Sequence, residues 1–288
     1  MTTNPIKRVS VLSTGTVVIH PQHVRSGGTP QMWWLLTSRR WTDPLPINVY
    51  VIEHDQGLIL FDTGEDRAAV TDPDYYPGGF TGFIYRRFGH FDIGPQDTLS
   101  DQLGLLGYDI AQVHTAILSH LHPDHAGGVP QLRRANLVVS QDEWDALVGK
   151  KAQMIGLMPN HVDLPDLRWN RITFEPTTDP SLAPFTEAHD LFGDGTLTLL
   201  PTPGHTPGSM SLLVRQPGLV PLLMVGDLTY DVHLFDEKHL PGMGDKHQMK
   251  DATDKIHQLR ETNPGLVILP AHDPEAAHRL AAATATRT

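Results

Sequence analysis

Ser119–His125 reads S-H-L-H-P-D-H and sets three imidazoles and a carboxylate within the six residues His120–His125. Imidazole nitrogen and carboxylate oxygen together suit zinc and its divalent neighbours. His120 and His122 alternate on one side of an extended backbone. Asp124 and His125 follow, where the chain can turn toward a second ion. One ion can seldom take all four groups, so the spacing points to two metals.

The elements around the cluster repeat one design. The apolar run Thr115–Leu118 leads into it. Leu58–Phe61 ends at Asp62-Thr63-Gly64, and Leu197–Leu200 leads to P-T-P-G-H, ending at His205. Leu222–Val225 ends at Gly226-Asp227, and Leu266–Leu269 at Pro270-Ala271-His272-Asp273. Polar, chemistry-bearing residues after buried strands collect on loops at one edge of a rigid scaffold. Further strands are expected at Val9–Leu12, Thr16–Ile19, Val49–Glu53, Leu137–Ser140, Ile172–Phe174 and Met210–Val214. Helices are expected at Leu99–Leu106 (capped by Thr98, ended by Gly107), Gln141–Val148, His247–Glu261 and Pro274–Ala283. The repetition in the two halves suggests similar half-domains sharing one site. The fold class read from this is α/β, with two mixed β-sheets face to face and helices outside, in one domain spanning residues 1–288.

The chain has 288 residues, is 39% hydrophobic and 19% charged, and carries a formal net charge of −11 with neutral His. That balance argues against nucleic acid or an anionic membrane surface as the main partner. No apolar run is long enough to span a bilayer. The N-terminus shows no secretory pattern, so cytoplasmic residence is the expectation. With no Cys, disulfides and thiolate ligands or nucleophiles are excluded.

Each element alone is weak, since a single His after Gly or a single Asp after Gly can simply serve a loop. The ordered set H-x-H-x-D-H, G-H-T-P-G, G-D and A-H-D is specific, and it resembles the metallo-β-lactamase superfamily from Asp62 to His272. The resemblance implies an αββα fold and a dinuclear site. His120, His122 and His205 would hold one ion, Asp124, His125 and His272 the second, and Asp227 would bridge them. A carboxylate can span two ions ~3.5–4 Å apart. Asp62 would lie in a second shell and orient a ligand imidazole; a turn after a strand is the competing reading. The cofactor expectation is two divalent ions, zinc first, with Co, Mn or Fe as alternatives.

Fold alone does not give the substrate. Asp227, not Cys, stands at the bridge, unlike zinc β-lactamases that use a thiolate. Tyr230 follows in G-D-L-T-Y, as in the N-acyl-homoserine lactone lactonases, where a Tyr hydrogen-bonds the substrate carbonyl. The segment Tyr75–Phe91 is rich in aromatics. Phe80, Phe83 and Phe88 there, with Trp33 and Trp34 upstream, are candidates for an apolar acyl pocket. Core packing or a homodimer contact would use the same residues. The other histidines, His20 and His23 among them, match no ligand position and are read as surface or hydrogen-bonded.

The expected function is therefore hydrolytic opening of a lactone ring, with N-acyl-homoserine lactones as small-molecule substrates, that is, a quorum-quenching carboxylic-ester hydrolase. Hydroxide bridging the metals would attack the ester. Tyr230 would stabilise the oxyanion, and Asp124 would pass a proton to the leaving oxygen. A glyoxalase II-like thioesterase is an alternative, disfavoured by a C-terminal region Pro274–Thr288 holding only Arg279 and Arg287 as basic groups. A mononuclear iron dioxygenase acting on persulfides is another.

Overall fold

The computed structural model describes residues 4–285. One sheet has seven strands: β1 (Ile6–Ile19), β2 (Leu45–His54), β3 (Gly57–Phe61), β4 (Gly89–Asp92), β5 (Val113–Ile117), β6 (Asn136–Ser140) and β7 (Arg168–Ile172). Their order is β4-β1-β2-β3-β5-β6-β7. The second sheet has six: β8 (Glu175–Pro176), β9 (Glu187–Asp190), β10 (Leu197–Pro201), β11 (Met210–Val214), β12 (Leu222–Gly226) and β13 (Val267–Pro270), ordered β13-β12-β11-β10-β9-β8. Both sheets are mixed: β3, β5, β6 and β7 run parallel, as do β12 and β13, while the remaining pairs are antiparallel.

Alternation along the central strands builds the layers. In β3, Ile59 and Phe61 point between the sheets, where they share a core with Tyr50, Ile117, Leu199, Leu212 and Met224. Leu58 and Leu60 point outward, into a cluster with Leu99 and Leu103 of helix Leu99–Leu105 and Trp144 and Leu147 of helix Gln141–Val148. Across the second sheet, Leu200, Leu213 and Leu223 pack on Met249, Ala252, Ile256 and Leu259 of helix Lys246–Thr262. The result is helix, sheet, sheet, helix. Burying each large aliphatic side chain contributes ~1.5–3 kcal/mol.

The parallel pairings bring the loop-bearing ends together. Phe61 is in register with Ile117, and Gly226 with Pro270. The sheets are also joined at that edge: Met210 N–H donates to Ser119 O at 2.9 Å, and the Tyr50 hydroxyl to Pro270 O at 2.7 Å.

The structure departs from the sequence reading in several places. Val9–Leu12 and Thr16–Ile19 are one strand, interrupted by a register shift between Ser13 and Thr16 around Gly15, whose φ is +109°. The strand expected at Ile172–Phe174 lies earlier, at Arg168–Ile172, where backbone pairing with β6 holds a polar edge strand. Short β4, β8 and β9 carry too little apolar pattern to be read. Helices Gln31–Thr37 and Gly79–Phe88 were not expected. The last helix begins at Ala276, after Pro274. Among the described residues, no helix is long and apolar enough to cross a membrane.

Candidate metal centre

The first His/Asp loop leaves β5 and turns at once into the short helix Pro123–Ala126, with Pro at its start. This turn separates the ligands. His120 and His122 face the loop after β10: His120 Nε2 and His205 Nε2 each lie 3.0 Å from His122 Nδ1. Asp124 and His125 face the loop after β13, where His272 Nε2 is 3.4 Å from Asp124 Oδ2. Between them stands Asp227, directly after β12. Its Oδ1 is 3.2 Å from His125 Nε2 and 3.4 Å from His272 Nε2; its Oδ2 is 3.5 Å from His205 Nε2. Donor atoms of His120–His122–His205, of His120–His125–Asp227 and of Asp124–His125–His272 lie within 4.8 Å of one another in each set. All seven residues expected from the sequence thus meet in one place.

The outward ring nitrogens show which lone pairs face inward. His122 Nε2–H donates to Ile155 O at 2.7 Å, and His272 Nδ1–H to Pro46 O at 2.9 Å. His125 Nδ1–H donates to Asp62 Oδ2 at 2.9 Å. His120 Nδ1–H donates to Ser119 Oγ at 3.0 Å, and that hydroxyl donates onward to Asp62 Oδ2. Four of the five imidazoles therefore spend an N–H on an outer acceptor and turn the other nitrogen toward the centre, whereas Nδ1 of His205 is buried without a partner. His125 Nε2 and Asp227 Oδ1 are buried and without a hydrogen bond despite their proximity. Lone pairs packed this closely repel unless cations lie among them, so the residues present fit a pair of divalent ions.

Electrostatics agree with that fit. Burial first, then neighbouring imidazoles, holds His120 well below the usual histidine range, and burial brings His205 down to about 3. Burial opposes charge on His125 as well, but Asp227, Asp62 and Asp124 outweigh it and raise its pKa. Burial would raise Asp124 and Asp227; their imidazole neighbours overcome it and hold both carboxyls ionised. His120, His205 and the two carboxyls are thus in the form that binds cations, whereas at His125 and His272 the carboxylates outweigh burial and favour a proton on each that a cation would displace.

Asp62 organises the loops. It adopts φ +64°, the left-handed region that Asp tolerates, and also accepts Ser119 N–H at 2.7 Å. Thr63 N–H and Oγ–H both donate to His125 O at 2.8 Å. Glu143 does the same for the other half, and no sequence motif marked it. It is fully buried and accepts Leu121 N–H at 2.9 Å, the Thr206 hydroxyl at 2.7 Å and Gly208 N–H at 3.0 Å. It thereby ties the His120–His122 loop to the His205 loop.

A cleft opens above the cluster. His122, Asp124, His205, Asp227 and His272 lie at its base, and Val17, Ile19, Tyr76, Tyr85, Phe88, Phe91 and Met243 among its walls. Tyr230 lines it too; its hydroxyl donates to Asp227 Oδ2 at 2.7 Å and its ring stacks on His272. Of the five aromatics expected at a pocket, Phe88 lines this cleft. Trp33, Phe80 and Phe83 do not: they face solvent at 67%, 69% and 48% exposure on the outer sides of their helices. Trp34 is buried against His20 and His23. Of the histidines read as surface or hydrogen-bonded, His20 is buried and hydrogen-bonded through Nδ1 to Arg40 O at 2.8 Å, whereas His23 is buried and lines the cleft with its Nε2 unpartnered and its pKa lowered to about 3 by burial. Glu65, next to the D-T-G turn, was also missed; adjacency to Asp62 was its one signal.

The sheet order, the layering and the loop-borne cluster define a four-layer α/β fold with a candidate metal centre at one edge of its sheets. Residues 42–272 match the metallo-beta-lactamase superfamily model, and the chain belongs to that family. It is 32% identical over 234 residues to N-acyl homoserine lactonase AttM of Rhizobium radiobacter, covering 81% of this chain and 83% of that protein. It is 26% identical over 257 residues to the N-acyl homoserine lactonase of Bacillus thuringiensis, covering 89% and 88%. Among solved structures, an N-acyl homoserine lactone hydrolase with N-hexanoyl-L-homoserine at its catalytic metal centre superposes with a TM-score of 0.74. Identity there is 24%, over 94% of this chain and 95% of that one.

Proposed function

We propose that the protein opens the ester ring of lactones, N-acyl-homoserine lactones in particular, using two divalent cations held by His120, His122, His205, Asp124, His125, His272 and Asp227. The observation that carries the reading is the joining of two ligand sets through Asp227 beneath a cleft whose walls are largely apolar. The names of its relatives support the substrate class. When bound, such ions lower the pKa of water from ~15.7 toward ~7 and polarise an ester carbonyl, which is the chemistry hydrolysis needs.

The chain's own groups divide the remaining work. Tyr230 presents a neutral hydroxyl beside Asp227; burial, then the Asp227 charge, holds its proton far above neutral pH. By turning from Asp227 to the substrate it donates to the oxygen on which charge develops. Asp124 is the more open carboxylate, with a side chain 20% exposed toward the cleft, and takes the role of carrying a proton to the departing ring oxygen. Val17, Ile19, Phe88 and Phe91 exclude water from an acyl chain.

The test is a hydrolysis panel on metal-loaded protein: acyl-homoserine lactones of several lengths, simple lactones, S-lactoylglutathione and a cephalosporin. Turnover of lactones above the others is expected. Preferred turnover of S-lactoylglutathione would replace the reading with the thioesterase one. Metal analysis should return two equivalents; one iron per chain would favour oxidation.

A further inference from the structure

Glu65 is 2% exposed, follows the D-T-G turn and lines the cleft that Asp124, Tyr230 and His272 also line. One carboxyl oxygen is fully engaged: Oε1 receives the Tyr75 hydroxyl at 2.6 Å and Asp66 N–H at 2.8 Å. The other, Oε2, is buried and has no partner. Two donors on one oxygen fix the carboxyl plane, so Oε2 is set in place before any ligand arrives and is an acceptor wherever the carboxyl is ionised, the form in which the assays must be run. An orphaned buried acceptor is costly, and a ligand that brings a donor relieves the cost. Apart from the expected metal ligands, His23 Nε2 is the other unpartnered buried polar atom among the residues lining the cleft, while Val17, Ile19, Phe88 and Phe91 are apolar.

A lactone ring has no hydrogen-bond donor. An acylamino substituent on the carbon next to the ester carbonyl supplies one N–H, two bonds from the reacting carbon. We propose that Glu65 is a specificity-determining residue whose free oxygen accepts this amide N–H, so that the site selects α-acylamino lactones over amide-free lactones of equal size. The inference rests on the lactonase reading and narrows its substrate class.

The test compares wild type, Glu65→Gln and Glu65→Met, all metal-loaded, on two five-membered lactones of matched chain length, one with the amide link and one with a plain alkyl chain. The readout is the ratio of their kcat/KM values. Glu65→Met should lower the ratio about tenfold or more, mainly through KM of the amide substrate, and Glu65→Gln should lower it as well, since its amide oxygen takes the place of Oε1 beside the Tyr75 hydroxyl and Asp66 N–H and its NH2 group, a donor, stands where Oε2 was. An unchanged ratio in Glu65→Met overturns the proposal and leaves the lactonase reading standing, as does an equal loss on both substrates. Calorimetric binding of the two ring-opened acids reads Glu65 without turnover. Tighter binding of the amide acid by wild type, lost in Glu65→Met, supports the anchor even if neither lactone is hydrolysed, an outcome that would sink the lactonase reading alone. Equal binding of the two acids by wild type overturns the anchor.

Discussion

Asp62 Oδ2 and His125 Nδ1 meet at 2.9 Å in a place where both side chains are almost wholly buried, 2% and 1% exposed. Through this bond the strand β3 loop sets the tautomer and tilt of an imidazole on the β5 loop. The same carboxylate reaches His120 through the Ser119 hydroxyl. Replacing Asp62 with Ala should weaken metal binding by about 10–100-fold, the usual effect of losing a partner that orients a ligand. Chelator-competition titration measures it; wild-type affinity would show that Asp62 serves only the turn.

Asp227 and Tyr230 should separate cleanly. Asp227→Ala removes the carboxylate shared by both ligand sets and should leave protein that retains neither metal nor turnover. Tyr230→Phe keeps every ligand, so its metal content should match wild type while kcat falls by about 10²–10³-fold, as for a lost oxyanion donor. Metal analysis beside steady-state kinetics checks both, and undiminished turnover in Tyr230→Phe would remove that hydroxyl from the mechanism.

Gly156 adopts φ +90°, and a Cβ there would lie 2.7 Å from His122 Nε2. That nitrogen is already committed to Ile155 O. Gly156→Ala should therefore cost about 1–3 kcal/mol of stability from backbone strain and, in addition, tilt His122 and weaken metal binding. Gly218→Ala is the control: its φ is +84° with open space around the added carbon, so it carries strain alone. If both variants bind metal as wild type does, His122 is not held by this contact.

Burial raises Glu65 from 4.5 to about 8, with the Asp124 charge adding to the effect. A carboxyl raised in the folded state holds its proton there after the unfolded chain has released it. Its contribution to stability is therefore lost as pH climbs from about 4.5 to about 8. In metal-free protein, Glu65→Gln should flatten the fall of stability with pH across that window relative to wild type. Urea unfolding at several pH values reads the difference; parallel curves would show that Glu65 does not titrate there.

Glu143 accepts three donors from two ligand loops. Glu143→Leu would leave those donors buried and unsatisfied, at about 1–3 kcal/mol for each such group. A marked drop in melting temperature with loss of the His205 contribution to metal binding is expected. A variant as stable as wild type would mean that water or backbone shifts replace the carboxylate.

The sequence by itself determined the identity and chain order of the metal-competent residues, and the strands that carry them. Both signals are local: S-H-L-H-P-D-H follows an apolar run directly, and Asp227 follows β12 directly. Tertiary structure decided what spacing along the chain cannot encode. Glu143 is far in sequence from the loops it ties, His23 is far from the cluster whose cleft it lines, and hydrophobic or polar patterning states only which face of an element is buried, not what covers it. Trp33 and Trp34 make the point within one helix: neighbours about 100° apart on the helical wheel, one 67% exposed and the other 3%. Aromatic content suggested a pocket, but the packing of helices Gln31–Thr37 and Gly79–Phe88 chose which rings reach it, because burial is non-directional and is settled only when a second surface arrives.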